Sequence, residues 1–313
     1  MGLMKKVKRY KLLRKTNFEE ISKKWLEMKK NSIKESTYCN YMFIIDKYLM
    51  PTLRKTCLRK LIDYNYNNFI QELKTNLSVK TVRDITNVLK SILKYSQEEY
   101  TCSINLKSIN MPKLNVAKIK VLNKREKGKL ERYCLKQNTL KSLGVVVCLY
   151  TGLRIGELCA LKWEDIDLEE KVIFVRKTLQ RVYIEKENNS KIIINSPKTT
   201  SSIRRVPINN KLYEILKPLK KEYKNEDFFL TGSNEKYVEP RNYQNLFKLL
   251  LSECKVKPYK FHILRHTFAT YCIEVGMDAK SLSEILGHSN VNITLSRYVH
   301  SSDKIKKKFL EKL

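Results

Sequence analysis

Acidic residues are scarce in this chain of 313 residues. Asp and Glu total 32 against 63 Lys and Arg, for a formal charge of +31. Solubility needs far less imbalance, so an excess this large points to a polyanionic partner, with nucleic acid the first candidate. Histidine is scarcer still, at four residues, and the eight cysteines, at 39, 57, 102, 134, 148, 159, 254 and 272, form no CxxC pair. No metal site is expected from such a set. Cys148 in VVVCLY and Cys159 in ELCAL lie in apolar surroundings and read as small buried hydrophobes of a reducing cytoplasm. Long apolar runs are missing too. The longest, Val145 to Tyr150, is far too short to span a bilayer. The opening MGLMKKVKRYKLLRK has no apolar stretch for a secretory signal, and Lys6 stands where a myristoylation motif needs Ser or Thr. The expectation is a cytoplasmic, nucleoid-associated protein with no membrane partner.

The length suits two domains. Residues 1–16 form a basic arm without an acid, and Lys5, Lys6, Lys8, Arg9 and Lys11 are its candidate phosphate contacts. A helical pattern covers 17–100. Asn17 followed by Glu19 and Glu20 reads as a helix start. A second helix opens at Ser36-Thr37 and is expected to end at Pro51, a third runs near Tyr64 to Leu73, and Ser78 caps a fourth with apolar residues at spacings of three and four. Over 101–122 the periodicity fades and lysines recur, so this stretch reads as a basic linker, with Lys113, Lys118 and Lys120 as DNA contacts. Residues 123–313 mix helices with strand-like runs at 171–175, 183–185, 191–194 and 203–207. The fold class expected is mostly α with a small antiparallel β-sheet. A four-helix N-terminal domain precedes a mixed α+β domain.

All four histidines, at 262, 266, 288 and 300, fall in the last 52 residues. In FHILRH, His262 and Arg265 share one helical face. In LGHS, Gly287 reads as a helix cap that aims His288 from a turn. Tyr298 follows in SRYVH. Upstream, TGLRIGEL sets Arg154 at a helix start, where free N–H groups favour an anion, and Glu157 three residues on is placed to hold the guanidinium. His266 and His300 read as structural, and Trp163 as core packing.

These residues resemble the tyrosine recombinase (phage integrase) family. TGLRIGEL, a lysine between two strand-like runs, HILRHTFAT, LGHSNVNITLSRY and a terminal helix appear in the family's order, and the likeness spans nearly the whole chain. The resemblance implies a SAM-like core-binding N-terminal domain and a metal- and ATP-independent site-specific recombinase. In it Arg154 and Arg265 grip the scissile phosphate, His262 and His288 assist there, and Tyr298 is the nucleophile that forms a 3′-phosphotyrosine. Lys198, in NSPKTTS, would protonate the leaving 5′ oxygen, with Lys191 as the alternative. It implies double-stranded DNA core sites as partner, a monomer in solution, a homo-tetramer on DNA and a possible directionality factor. Over 302–313 it implies a docking helix whose Phe309 and Leu310 are buried on a neighbouring protomer. Only about 16 residues precede the helical domain, so accessory arm-site binding is not expected. The ending looks like that of mobile-element integrases. A type IB topoisomerase shares the chemistry, and a relative that binds DNA without cutting it is the third reading.

Overall fold

The computed structural model describes residues 12–114, 119–184, 189–195, 203–298 and 311. The chain divides into two compact units, Met1–Ala117 with Val182–Lys191, and Lys118–Arg181 with Ile192–Leu313.

In the first unit, α1 (Phe18–Lys30) begins where the Asn17 side chain accepts from the Glu20 N–H at 3.0 Å. It buries Phe18, Ile21 and Trp25 on one face. The second helix does not end at Pro51 as expected. α2 (Glu35–Ile44) runs through a π turn, Ile45–Leu49, into α3 (Met50–Leu53). Pro51 lies in the first turn of α3, where a missing N–H matters least, and the widened turn ahead of it relieves the clash of its ring with the preceding backbone. Next come α4 (Leu58–Ile62), α5 (Tyr66–Asn76) and α6 (Val79–Tyr100). Ser78 caps α6 through the Thr81 N–H, and Val82, Ile85, Leu89, Ile92 and Leu93 form its buried stripe. The first part of the lysine-bearing stretch belongs to this unit as well. Cys102, Ile104 and Ile109 join its core, and Arg83 donates to the Pro112 carbonyl at 2.9 Å. Isolated apolar residues carry no periodicity, so the sequence pattern could not reveal this packing.

The second unit opens with α7 (Lys124–Gln137), whose first turn is closed by reciprocal bonds between Asn123 and Glu126. α8 (Leu140–Thr151) is the central helix, buried along nearly its whole length. It stops at Gly152, whose φ of 66° suits glycine, and a Cβ there would lie 2.6 Å from the Phe268 ring. α9 (Ile155–Ala160) follows. β1 (Ile166–Asp167), β2 (Val172–Val175) and β5 (Arg204–Pro207) form an antiparallel sheet in the order β1-β2-β5, with Val175 opposite Arg204. β3 (Thr178–Ile184) and β4 (Asn189–Asn195) form a separate two-stranded sheet. Trp163 is fully buried, stacked on Tyr223 with ring centroids 5.3 Å apart. The helices α10 (Asn210–Lys220), α11 (Pro240–Glu253), α12 (Ile263–Glu274), α13 (Ala279–Leu286) and α14 (Val291–Tyr298) complete the described residues. α12 packs along α8, which brings the HILRH segment beside the end of α8. No helix among the described residues is long and apolar enough to cross a membrane.

Candidate active site

Three arginines close on the C-terminal end of α13. Gly287, at φ 64°, turns the chain there and leaves the last helical carbonyls without intrahelical donors. Arg204 Nε donates to the Ile285 carbonyl at 2.5 Å, Arg265 Nη2 to that of Leu286 at 2.6 Å, and Arg154 Nη2 to that of Gly287 at 3.0 Å. Cations at this end also meet the negative pole of the helix. Arg265, only 2% exposed, donates its Nη1 to the Gly152 carbonyl at 2.9 Å. One guanidinium thus joins the end of α8 to the end of α13.

Arg154 immediately precedes α9. Its backbone N–H donates to Glu157 Oε2 at 2.8 Å and its Nη1 to Glu157 Oε1 at 2.7 Å. Glu157 therefore already occupies the helix start that the sequence had suggested for an anion, and a phosphate would meet side chains instead. Burial alone would raise the pKa of Glu157. The bonds and charge of Arg204 and the charge of Arg154 outweigh it and bring the pKa to about 2. Arg265 is lowered to about 9 by burial and by the neighbouring Arg154 charge, which still leaves it cationic at neutral pH.

His262 and His266 lie one turn apart, edge to face, with ring centroids 4.6 Å apart. His266 Nδ1 is 2.7 Å from the Tyr298 hydroxyl. His288 engages Thr294 Oγ1 at 2.7 Å through its own Nδ1, and its ring lies parallel to that of Tyr298 at 6.4 Å. Burial, then the nearby arginines, lower His288 to about 3 and His266 to about 4. His262 is exposed, so solvent relieves part of the desolvation that, with His266 and Arg265, lowers its pKa. Tyr298 is 6% exposed, and burial raises its pKa against the pull of Arg265, Arg297 and Arg154. At neutral pH a protonated phenol therefore faces a neutral imidazole.

Arg154, Glu157, His262, Arg265, His288 and Tyr298 are thus brought together within the second unit. A cleft of about 380 Å³ beside them is lined by Arg154, His262, Thr178, Arg181 and Arg241. Lys198 lies outside the described residues, as do Lys5, Lys6, Lys8, Arg9, Lys11, Lys118, Phe309 and Leu310. Lys191, the alternative to Lys198, pairs with Glu35 at 2.5 Å, and both belong to the first unit. Lys113 and Lys120 are exposed. Two contributors were not read from the sequence. His266, taken as packing of its helix, meets the tyrosine; its spacing of four from His262, which puts both on one face, was the available signal. Arg204 gave no signal among so many cations. Among the described residues no group of three or more His, Cys, Asp and Glu is placed to hold a metal ion.

Two family models match the chain, "Phage integrase family" over residues 118–304 and "Phage integrase, N-terminal SAM-like domain" over 17–74. The chain belongs to the phage integrase family of tyrosine recombinases. The "Tyrosine recombinase XerC-like" protein of Caldanaerobacter subterraneus subsp. tengcongensis is 32% identical over 304 residues, which cover 89% of this chain and 76% of the relative. Among solved structures, the Tn1549 transposon integrase in complex with transposon right end DNA matches with a TM-score of 0.75 at 21% identity, over 95% of this chain and 99% of that one. A lambda integrase tetramer bound to a Holliday junction matches with a TM-score of 0.65 at 16% identity, over 92% and 80%. At these identities the structural likeness is one of fold, a SAM-like helical domain followed by an integrase catalytic domain. The protein is a site-specific recombinase of the mobile-element type. None of the relatives named here is a topoisomerase.

Proposed function

We propose that this recombinase cuts double-stranded DNA at core sites with Tyr298 and holds the broken strand as a 3′-phosphotyrosine. The Tyr298 oxygen bonds to phosphorus, the bond from phosphorus to the 5′ oxygen breaks, and the phenol proton passes to the neutral His266 within hydrogen-bond reach. Arg154 and Arg265 hold the non-bridging oxygens. Their planar, permanently charged forks suit phosphate and stabilise the charge that builds on it. His288, whose Nδ1 is committed to Thr294, offers Nε2 to the phosphate, and His262 serves it from the exposed side. Lys198 protonates the departing 5′ oxygen. Attack by a 5′ hydroxyl on the phosphotyrosine reverses these steps, so rejoining needs neither ATP nor metal.

The observation that carries this reading is the convergence of Tyr298, His266, His288, Arg154 and Arg265 around the end of α13. Lys5, Lys6, Lys8, Arg9, Lys11, Lys113, Lys118 and Lys120 contact DNA phosphates. The chain is a monomer in solution and a homo-tetramer on two DNA sites, where Phe309 and Leu310 dock on a neighbouring protomer. It works in the cytoplasm, with a directionality factor setting the outcome. The test is covalent capture on a nicked core site. Wild type should form a protein–DNA adduct resistant to denaturation, and Tyr298→Phe should bind the same DNA but form none. Equal capture by both would reject the assignment.

A further inference from the structure

Glu157 has two guanidinium partners of different standing. Arg154 reaches it from the residue ahead of α9 and is 35% exposed by its side chain. Arg204 reaches it from β5, with the side chain 5% exposed, donating Nη1 to Oε1 at 3.1 Å and Nη2 to Oε2 at 2.9 Å. This is a fork-to-fork pair, a geometry that fixes direction as well as charge. Through Nε the same guanidinium holds the Ile285 carbonyl. Arg204 thus uses Nε, Nη1 and Nη2 on protein atoms, and it joins the carboxylate that orients Arg154 to the helix end that presents His288.

We infer that Arg204 is a positioning residue for strand cleavage, acting through Glu157 on Arg154 and through the Ile285 carbonyl on the Gly287–His288 turn. It does not touch the phosphate. Arg154 reaches the phosphate in register because Glu157 is held from the far side, and His288 keeps its place because three consecutive carbonyls ahead of it are each tied to a different arginine. A displacement of roughly 1 Å in such a group costs on the order of 10²-fold in rate even when its cause lies away from the chemistry. The inference rests on the assignment of Arg154, His288 and Tyr298 made above.

The groups facing Glu157 are Arg154 at the start of its own helix, Arg204 from β5, Arg265 from α12 and Cys148 from α8. If Arg204 is removed, burial is opposed by the remaining arginines alone, and the Glu157 carboxyl takes up a proton at higher pH than in the wild type. A carboxyl that has lost its charge no longer orders Arg154. The experiment measures covalent capture on a nicked core site from pH 5 to 8 in the full chain, alongside site binding by gel shift. The proteins are wild type, Arg204→Met, Arg204→Lys, Glu157→Gln and the Arg204→Met/Glu157→Gln double variant.

Arg204→Met should lose about 10²-fold in capture rate at neutral pH, bind DNA like the wild type, and lose more as the pH falls, over a range where the wild type is flat. Arg204→Lys keeps the charge without the fork and should recover part of the loss, with a shallower pH dependence; it also serves if the Met variant does not fold. The double variant should be no slower than the slower single variant, and the acid sensitivity should vanish. Wild-type rate and a flat profile in Arg204→Met would overturn the inference while leaving Tyr298-dependent capture, and thus the assigned reaction, intact. Losses that multiply in the double variant would also overturn it, since Arg204 would then act independently of Glu157. No adduct from the wild type would remove both readings.

Discussion

The two units of this recombinase bury polar groups in different ways. Among the described residues of the helical unit, the buried polar side chains are hydroxyls: Thr16, Ser22, Thr86 and Ser96. Three of them are satisfied inside their own helices, Ser22 on the Glu19 carbonyl, Thr86 on that of Val82 and Ser96 on that of Leu93. In the catalytic unit Glu131, Glu157, Asp165, Asp227 and Arg265 are buried. Moving an ion into a protein interior costs several kcal/mol, and complete pairing offsets this without making the ion a better choice than an apolar residue. The helical unit is built by the cheaper rule, and none of its described lysines or arginines is buried. The catalytic unit holds Arg265 and Glu157 in its interior, where a low dielectric strengthens each donor aimed at a reacting phosphate.

The largest expected effect separates the two arginines proposed to grip the phosphate. Arg265→Ala removes a proposed donor to the phosphate and leaves the Gly152 and Leu286 carbonyls without their partner. Capture should fall by about 10²- to 10³-fold, and stability by about 1–3 kcal/mol for each carbonyl left unsatisfied. Arg154→Ala should lose at least about 10²-fold in capture with a much smaller change in thermal midpoint, because its side chain is partly solvated. If both variants melted like the wild type, Arg265 would not be holding the two helix ends together.

The next effect follows from the same buried site. His266 and His288 remain neutral in the fold far below their ordinary pKa of 6.5. In the unfolded chain each takes a proton as the pH falls through about 6.5. Between about pH 6.5 and 4 the unfolded state therefore binds more protons, and stability declines as the pH falls across that window. Glu157, whose pKa is brought from 4.5 to about 2, adds its own loss only at still lower pH. Denaturant midpoints should drop between pH 7 and 5 in the wild type and drop less in His266→Phe. A midpoint independent of pH over this range would contradict the burial of the two imidazoles.

How much of this was legible in the sequence follows from the same contrast. α6 could be read from Ser78 and its apolar spacing, since a helix with one buried face writes its period into the chain. α7 and α11 begin at local start signals, a capping Asn123 and a proline, Pro240, in the first turn. Pro51 misled, since a proline rule assumes an α-helix and the chain makes a π turn ahead of it. Arg154, His262, Arg265, His288 and Tyr298 were legible through motifs in order. Arg204 was not, for a cation's role depends on which carboxylate and carbonyls surround it, and those lie 47 and 81 positions away. His266 was visible but misjudged; nothing local says which of two imidazoles on one helical face meets a tyrosine 32 positions on.

The smallest effect tests the outer side of the comparison. Lys113 and Lys120 are exposed, and each is proposed to meet a DNA phosphate. Neutralising a phosphate with a lysine releases condensed counterions, so each such contact contributes about 0.9 to the slope of log affinity against log salt concentration. Lys113→Gln and Lys120→Gln should each lower that slope by about one, weaken binding to core and unrelated duplexes alike, and leave the thermal midpoint and the rate of capture by bound protein unchanged. An unaltered slope would remove that lysine from the interface. A reduced capture rate at saturating protein would show that an exterior cation contributes to the chemistry, and the division between exterior binding charges and interior reacting ones would fail.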